Sequence, residues 1–297
     1  MNASPPVEAV VVTHESSGRL PTCLAALAGE GVPCLVVDNA SRDGSAELAR
    51  QLGARLLRLP RNEGYGRANN LGARASGAEF LLIANPDITP DDGAVVALLA
   101  AAERYPEAGL WAPRIAEPNG RFFFQPRSLL SRTGSSDRSP PEGDCCCPFL
   151  SGACFLVRRE LFLALGGFDE RIFLFYEDDD LCRRLADRGF APVHVHEAVV
   201  RHGRGRSTAS APGRIFTMRW HQAWSRAYVS WKYGLSNPAP RMFALNAAKA
   251  LAACLTFRRA TIERYAGSAL GALAAMRGRS ALAREGLEDR GLGDVKT

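Results

Sequence analysis

The sequence predicts an α/β fold in which a mostly parallel sheet is flanked by helices on both faces. Short apolar runs alternate with helix-like segments over the first two hundred residues. Several runs are apolar throughout, which is typical of parallel strands buried on both faces. Parallel strands need crossover connections, and these are usually helical. After Pro212 only helical patterns continue, so we expect residues 1–210 to form the α/β domain and residues 211–297 a basic helical extension.

The elements follow from hydrophobic period and from stop signals. Val7–Thr13 is β-branched and ends in polar residues, Pro60 halts a short strand, and Gly189 ends a helix. Residues 116–148 lose periodicity and predict a long loop. The predicted strands are residues 7–13, 35–37, 56–59, 80–84, 149–157 and 192–200. The predicted helices are residues 21–29, 44–52, 69–76, 91–103, 159–165, 177–188, 215–233 and 241–275.

Charge is distributed unevenly along the chain. Residues 201–297 carry 17 Lys/Arg and 5 Asp/Glu, a local +12, against +6 for the whole chain. Such asymmetry indicates either an anionic partner or a solvated helical face. Residues 244–257 are apolar but too short to span a bilayer, and they predict an amphipathic or buried helix. No signal peptide is recognisable, so we expect a cytoplasmic protein.

The acidic run Glu177-Asp178-Asp179-Asp180 opens a predicted helix directly after an apolar segment. Adjacent carboxylates in a partly desolvated setting repel one another and favour a proton, a cation or an acceptor hydroxyl. One interpretation is therefore a general base. The other is capping of the helix, whose N-terminus favours negative charge.

Asn85-Pro86-Asp87 follows a continuous apolar strand, so Asp87 is expected at the rim of the sheet. A carboxylate at that rim can hold Mg²⁺ or Mn²⁺ against a diphosphate, because these cations take oxygen ligands. The same tripeptide is also a common turn. His202 follows the last predicted strand and is either a further metal ligand or a structural histidine.

Two further polar segments follow predicted strands. Asp38 begins a strand-to-helix turn and could accept hydrogen bonds from a base or ribose. Residues 62–70 contain glycines that permit close backbone approach, and Arg67 is available there for a phosphate or base. This segment is neither a P-loop nor a GxGxxG dinucleotide motif.

These segments, in this order, resemble the inverting family 2 glycosyltransferases with the GT-A fold, and especially their bacterial rhamnosyltransferase-like branch. The resemblance covers about residues 7–207. The matching phrases are Val10-Val11-Val12-Thr13, residues 37–45, Asn62-Glu63-Gly64-Tyr65-Gly66 with Asn70 and Gly72, Asn85-Pro86-Asp87, residues 166–170, residues 177–183 and His202. Asn85 takes the place of the first acid in the family's DXD metal motif, and His14-Glu15 stands where relatives often have an aromatic residue and Asn.

The resemblance implies a role for each matching position. Asp178 would be the catalytic base, with Glu177 beside it as an acceptor-orienting or capping group, and Asp87 and His202 would bind Mg²⁺ or Mn²⁺. The residues expected at the nucleotide and donor are Thr13, Glu15, Asp38, Asn39, Asn62, Gly66, Arg67 and Asn85. The implied reaction moves a sugar from a dTDP- or UDP-sugar to a hydroxyl of a cell-surface saccharide or its lipid-linked precursor, with inversion.

Two other functions remain open at this point. A metal-dependent nucleotidyltransferase needs a similar pocket, although it would more naturally carry a Gly- and Lys/Arg-rich loop after the first strand. A non-catalytic module would use the basic helices to grip a membrane or nucleic acid. For the glycosyltransferase we expect no nucleic-acid partner but peripheral contact with the inner face of the plasma membrane. The residues expected at the membrane are Arg214, Arg219, Arg226, Lys232, Arg258 and Arg259, with Trp220, Trp224 and Trp231. The three tryptophans are equally compatible with core packing between the helices.

Overall fold

The computed structural model describes residues 6–125, 127–132, 139–203, 212–255 and 257–287. They fall into two compact units. The sheet unit comprises the described part of residues 1–168 and 177–209, and the helical unit comprises Asp169–Tyr176 and the described part of residues 210–297. Nothing in the sequence indicated that Asp169–Tyr176 would join the later helices. Residues 204–207, the end of the segment that resembles the family, lie outside the described residues.

The sheet unit contains ten strands and six helices among its described residues. The strands are β1 Val7–Thr13, β2 Cys34–Asp38, β3 Arg55–Arg58, β4 Phe80–Ala84, β5 Ile88–Pro90, β6 Leu110–Ala116, β7 Phe122–Phe123, β8 Cys145–Cys146, β9 Cys154–Arg158 and β10 Pro192–His202. The helices are α1 Leu20–Gly29, α2 Ser45–Gln51, α3 Tyr65–Ala75, α4 Ala94–Arg104, α5 Arg159–Ala164 and α6 Glu177–Asp187.

The strand order is β3-β2-β1-β4-β9-β6-β10-β5, with β7 paired to β6 and β8 paired to β10. The first four strands in this order are parallel, as the sequence predicts, and so are β6 and β10. β9 runs antiparallel to both β4 and β6 and joins the two parallel groups. The sheet is therefore parallel in its first part and mixed around β9.

Alternate residues of β1 enter two separate apolar cores. Val11 packs in the core that includes α1 and α4 residues, whereas Val10 packs with residues of α3, α5 and α6 on the other face. Burial on both faces explains why residues 9–12 of this strand form a continuous apolar run. The sheet unit is thus a three-layer α/β/α arrangement, which confirms the predicted fold class.

The helical unit contains four helices, α7 Arg214–Lys232, α8 Ala239–Cys254, α9 Arg259–Met276 and α10 Ala281–Arg284, among its described residues. The single helix predicted over residues 241–275 was wrong, because the chain leaves helical geometry between α8 and α9. α7 and α9 lie so close that a Cβ on Gly267 or Gly271 would overlap the backbone of α7. No helix in the described part of the chain is long and apolar enough to cross a bilayer.

Trp220 and Trp224 pack in the core of the helical unit, which is the second of the two roles that the sequence left open for them. Both indoles are buried in the apolar cluster of the helical unit, where Trp224 Nε1 donates to the Arg279 carbonyl oxygen at 2.7 Å. Lys232 is also engaged internally, since its Nζ lies 2.7 Å from Asp169 Oδ2. Trp231 is the exposed indole of the three. The first two tryptophans therefore stabilise the unit through packing.

Candidate active site

Thr13 and Asp38 lie side by side at the carboxyl ends of β1 and β2, where their Cα atoms are register partners. Both residues are fully buried. Among the residues that the structure describes, Thr13 Oγ1 and Asp38 Oδ2 have no hydrogen-bond partner, although the Arg58 guanidinium lies 3.8 Å from the carboxylate. Buried polar atoms are normally satisfied, so two neighbouring exceptions at the end of a parallel sheet indicate a place for a polar ligand.

Asn39 connects two loops at this edge. Its side-chain amide donates to Asn62 Oδ1 at 2.9 Å and to the Gly64 carbonyl at 3.2 Å, while its Oδ1 accepts from the Glu63 amide at 2.8 Å. Asn62 Oδ1 also accepts from the Gly64 amide. These bonds fix the entry to α3, so the two asparagines shape the pocket wall.

Glu15 binds the loop that follows β2. Its Oε1 accepts from the Arg42 amide at 2.8 Å, and its own amide donates to Ser41 Oγ at 3.1 Å. Its backbone has a φ of 55°. A non-glycine residue in this region costs about 1–3 kcal/mol and such strain clusters at functional sites.

Gly66 and Arg67 are both buried in the first turn of α3. The Arg67 guanidinium lies 3.2 Å from Glu63 Oε2, four residues earlier. From its place in the sequence, Arg67 is expected to contact a phosphate or base of the donor. Its ion pair with Glu63 was not predicted. Its role at the donor stays a prediction.

The Asn85 turn and Asp178 bind to two consecutive residues of the chain. The Asn85 amide donates to the Ala153 carbonyl at 2.9 Å, and the Gly152 amide donates to Asp178 Oδ2 at 2.9 Å. A Cβ on Gly152 would lie 3.2 Å from Asp178 Cβ, so only glycine allows this approach without a shift. The candidate metal turn and the candidate base, far apart in sequence, are therefore held at neighbouring positions.

Asp87 and His202, the two metal ligands predicted from the sequence, lie in contact with each other. Asp87 Oδ1 lies 3.3 Å from His202 Nε2, and within the described part of the chain neither carboxylate oxygen has a hydrogen-bond partner although both are buried. The pair lines a cavity of about 470 Å³, which is also lined by Arg19, Thr89 and Arg201. Within the described residues no cluster of three or more His, Cys, Asp or Glu could hold a metal ion.

This donor set fits Mg²⁺ or Mn²⁺ only with help from a ligand. Mg²⁺ is usually held by one or two carboxylates together with substrate phosphates, rather than by a complete protein cage. The two unsatisfied oxygens of Asp87 and the nearby imidazole match that pattern. The chemistry of the residues thus agrees with the metal expected from the sequence.

Burial sets the charge state of the acidic run. It raises the pKa of Glu177 well above its usual range, and the charge of Asp178 adds to this effect. Burial likewise raises the pKa of Asp178, against hydrogen bonds from the Gly152 and Asp179 amides that lower it. The pKa of Asp179 rises to about 7 through burial and the charge of Asp178. A raised pKa brings a carboxylate toward the range in which a general base works best near neutral pH.

Asp180, by contrast, is neutralised by an internal cation. Its carboxylate is fully buried and lies 2.7 Å from Arg184 Nε. Arg184 also donates to the carbonyl oxygens of Leu165 and Gly167 at 2.9 and 2.7 Å. Asp180 therefore anchors α6 to the glycine turn after α5, which is a structural role.

Two contributors near Asp178 were not singled out from the sequence. Tyr65 donates to the Gly152 carbonyl at 2.7 Å, and its pKa is raised by burial and by the charges of Glu177 and Asp178. Gly152 binds Asp178 directly. A lone glycine and a tyrosine carry no local signal of such contacts. The spacing of Asp180 and Arg184, four residues on a helix, could have predicted their ion pair.

Comparisons with known proteins identify the family of this chain. The model of the glycosyl transferase family 2 matches residues 8–166, and that of the glycosyltransferase like family 2 matches residues 142–226. The N-acetylglucosaminyl-diphospho-decaprenol L-rhamnosyltransferase of Mycobacterium tuberculosis is 34% identical over 268 residues, covering 75% of this chain and 87% of that protein. The O-antigen biosynthesis protein RfbC of Myxococcus xanthus is 29% identical over 54% of this chain but only 14% of its own length.

Solved structures share the fold at low identity. The mannosyltransferase PcManGT of Pyrobaculum calidifontis, in complex with GDP-Man and Mn²⁺, has a TM-score of 0.59 at 17% identity and covers 94% of this chain and 89% of its own. GalNAc-T7 with UDP, GalNAc and Mn²⁺ has a TM-score of 0.56 at 15% identity, over 74% of this chain and 48% of its own. The sequence matches, supported by this GT-A fold, show that the chain belongs to glycosyl transferase family 2 and is a glycosyltransferase.

Proposed function

We propose that this glycosyltransferase moves a sugar from a nucleotide-diphosphate donor to a saccharide hydroxyl, with inversion at the anomeric carbon. The observation that carries the proposal is the attachment of the Asn85 turn and of Asp178 to the consecutive residues Ala153 and Gly152. The donor diphosphate and the acceptor hydroxyl must lie next to each other for sugar transfer. The bonds to Ala153 and Gly152 hold the proposed donor turn and the proposed base at neighbouring positions. Family membership disfavours the nucleotidyltransferase and the non-catalytic module.

Asp178 acts as the general base in this proposal. Its Oδ2 is oriented by the Gly152 amide, and its raised pKa suits proton transfer from a hydroxyl. The hydroxyl oxygen forms a bond to the anomeric carbon as the bond to the diphosphate breaks, and its proton passes to Asp178. Attack from the face opposite the leaving group inverts the configuration. Glu177 and Asp179 lie beside the base and orient the acceptor.

Asp87 and His202 would hold Mg²⁺ or Mn²⁺. When bound, the cation supplies positive charge against the diphosphate as it leaves. Asp87 contributes two buried oxygens that have no other hydrogen-bond partner. Thr13 and Asp38 receive the nucleoside at the ends of β1 and β2, within a wall built by Asn39, Asn62 and Glu15. Gly66, Arg67 and Asn85 complete the proposed donor site.

The proposed donor is dTDP-rhamnose and the proposed acceptor is a lipid-linked saccharide. Support comes from the Mycobacterium tuberculosis relative, whose name specifies rhamnosyl transfer to N-acetylglucosaminyl-diphospho-decaprenol. The product would serve a cell-surface polysaccharide. A lipid-linked acceptor calls for peripheral contact with the inner face of the plasma membrane. A boundary near residue 210 between catalytic domain and helical extension is part of the same proposal.

A donor panel tests the function. Release of nucleoside diphosphate is measured for dTDP-rhamnose, UDP-glucose, UDP-N-acetylglucosamine and GDP-mannose, with Mn²⁺ and polyprenyl-diphosphate-linked N-acetylglucosamine as acceptor. We expect acceptor-dependent release that is fastest with dTDP-rhamnose, and NMR of the product gives its anomeric configuration. Equal release with and without acceptor for every donor would contradict sugar transfer, and a retained configuration would contradict inversion.

A further inference from the structure

The connection between α8 and α9 exposes large apolar side chains together. Leu251 is 74% exposed, Leu255 82% and Phe257 90%, and the last two follow the end of α8 directly. Arg258 and Arg259 come next and are also exposed. We call these five residues the apolar tip. Its apolar members are the three most exposed large hydrophobic residues in the described part of the chain.

The exposure of the apolar tip is not explained by the packing of the helical unit. Trp220 and Trp224, which are larger, are buried in that unit. Phe257 instead holds a left-handed backbone with a φ of 52°, in a connection that contains no glycine. Single exposed apolar residues are ordinary on protein surfaces. A cluster of them where two helices meet indicates a surface that binds a membrane or another protein.

The charges around the apolar tip favour a membrane over a protein as the partner of this surface. Residues 239–262 contain no Asp or Glu, and the next residue, Glu263, pairs with Arg259 at 2.7 Å. The same range contains four cations, of which Arg241 and Lys249 lie on α8 and are exposed, while Arg258 and Arg259 lie at the start of α9. Exposed apolar side chains beside four cations, with a single acid next to them, match the boundary between acyl chains and anionic headgroups. A protein interface core would instead be depleted of charge.

We propose that the apolar tip docks on an anionic membrane surface, with Leu251, Leu255 and Phe257 entering the headgroup–acyl boundary and the two arginines meeting lipid phosphates. The inference rests on the proposed function, in which the acceptor is lipid-linked, but its test needs no turnover. Arg258 and Arg259 belong to the membrane surface expected from the sequence, whereas Leu251, Leu255 and Phe257 take the place of the buried Trp220 and Trp224.

Flotation with vesicles tests the surface. The full chain is mixed with phosphatidylcholine vesicles, with or without phosphatidylglycerol, at low and high salt. We expect flotation with phosphatidylglycerol at low salt and much less in the other conditions. The double variant Arg258→Gln/Arg259→Gln should bind roughly 25-fold more weakly, because each cation near such a surface contributes about fivefold. The triple variant Leu251→Ser/Leu255→Ser/Phe257→Ser should lose at least about tenfold.

The matched control is Val96→Ser, since Val96 is 64% exposed on α4 of the sheet unit. Flotation of this control should equal that of the unchanged protein. Equal flotation of the control and the triple variant would overturn the proposal, and so would absence of flotation of the unchanged chain. Circular dichroism checks that each variant is folded.

A second measurement does not depend on loss of binding. Phe257→Trp places a reporter at the apolar tip, and brominated lipids should quench its added fluorescence on vesicles. No added quenching over the unchanged protein would overturn insertion.

Sedimentation without lipid tests the competing occupant of the apolar tip, which is a second copy of the chain. A dimer that the triple variant abolishes, with vesicle binding unaffected, would also overturn the membrane proposal. Failure of the donor panel with intact flotation would refute the proposed function alone.

Discussion

The Arg184 guanidinium lies 2.7 Å from the fully buried Asp180 carboxylate, and replacing Arg184 with Met tests the structural role of this pair. Arg184→Met keeps the length of the aliphatic stem and removes the charge. It also removes the donors to the Leu165 and Gly167 carbonyls at 2.9 and 2.7 Å. Asp180 would be left as a buried charge without its cation.

The expected cost follows from these contacts. Breaking a buried ion pair by removing one partner costs roughly 3–5 kcal/mol, because the other charge stays buried. Arg184 is partly exposed, so water replaces some of the lost donors. We therefore expect a loss of about 3 kcal/mol, at the lower end of that range. Arg50→Met is the control, because Arg50 pairs with Glu47 on an exposed face of α2, where an ion pair contributes little to the free energy of unfolding.

Urea unfolding followed by circular dichroism measures the two changes. The double variant Arg184→Met/Asp180→Asn should recover part of the loss, since neither position of the former pair then carries a charge. Equal destabilisation by Arg184→Met and Arg50→Met would refute the buried-pair argument. So would a double variant that is less stable than Arg184→Met alone.

The other predictions concern the candidate active site. Gly152→Ala should lower kcat roughly tenfold by displacing Asp178 by tenths of an ångström, whereas Gly143→Ala, where nothing crowds a Cβ, should leave kcat unchanged in the same assay. Chelation should abolish turnover, and His202→Ala should raise the Mn²⁺ concentration needed to restore it; unchanged metal titration would contradict the assigned ligand. The pKa of Asp179 is raised to about 7 in the folded protein, so the folded protein binds this proton more tightly than the unfolded chain does. The free energy of unfolding should therefore fall as pH rises from about 4 to about 7. Asp179→Asn should flatten that fall in urea unfolding across this pH range; an unchanged slope would contradict the assignment.

Much of the sheet unit was predictable because its central strands are buried on both faces. β1, β2 and β4 appear in the sequence as apolar runs, and each ends at a polar cluster. β6 escaped prediction because LWAPRIA contains a proline and an arginine. Pro113 is tolerated there since the pairing of β6 with β9 involves Trp111 rather than the proline.

Helix ends without glycine or proline were harder to predict. The break between α8 and α9 contains Phe257 at a positive φ but no glycine or proline, so the helical hydrophobic period of the sequence continues across it.

In the candidate active site, the motifs at strand ends were visible in the sequence. The bond between Gly152 and Asp178 was not, because it joins residues 26 positions apart through tertiary folding.

Turnover and donor binding by Asp178→Asn test the central proposal most directly, namely that Asp178 is the base beside the donor turn. Asparagine keeps the shape of the side chain but cannot take the proton. With the preferred donor and acceptor, we expect kcat to fall about 10²–10⁴-fold while the affinity for nucleoside diphosphate and Mn²⁺ stays within about threefold. Turnover equal to that of the unchanged protein would contradict the account.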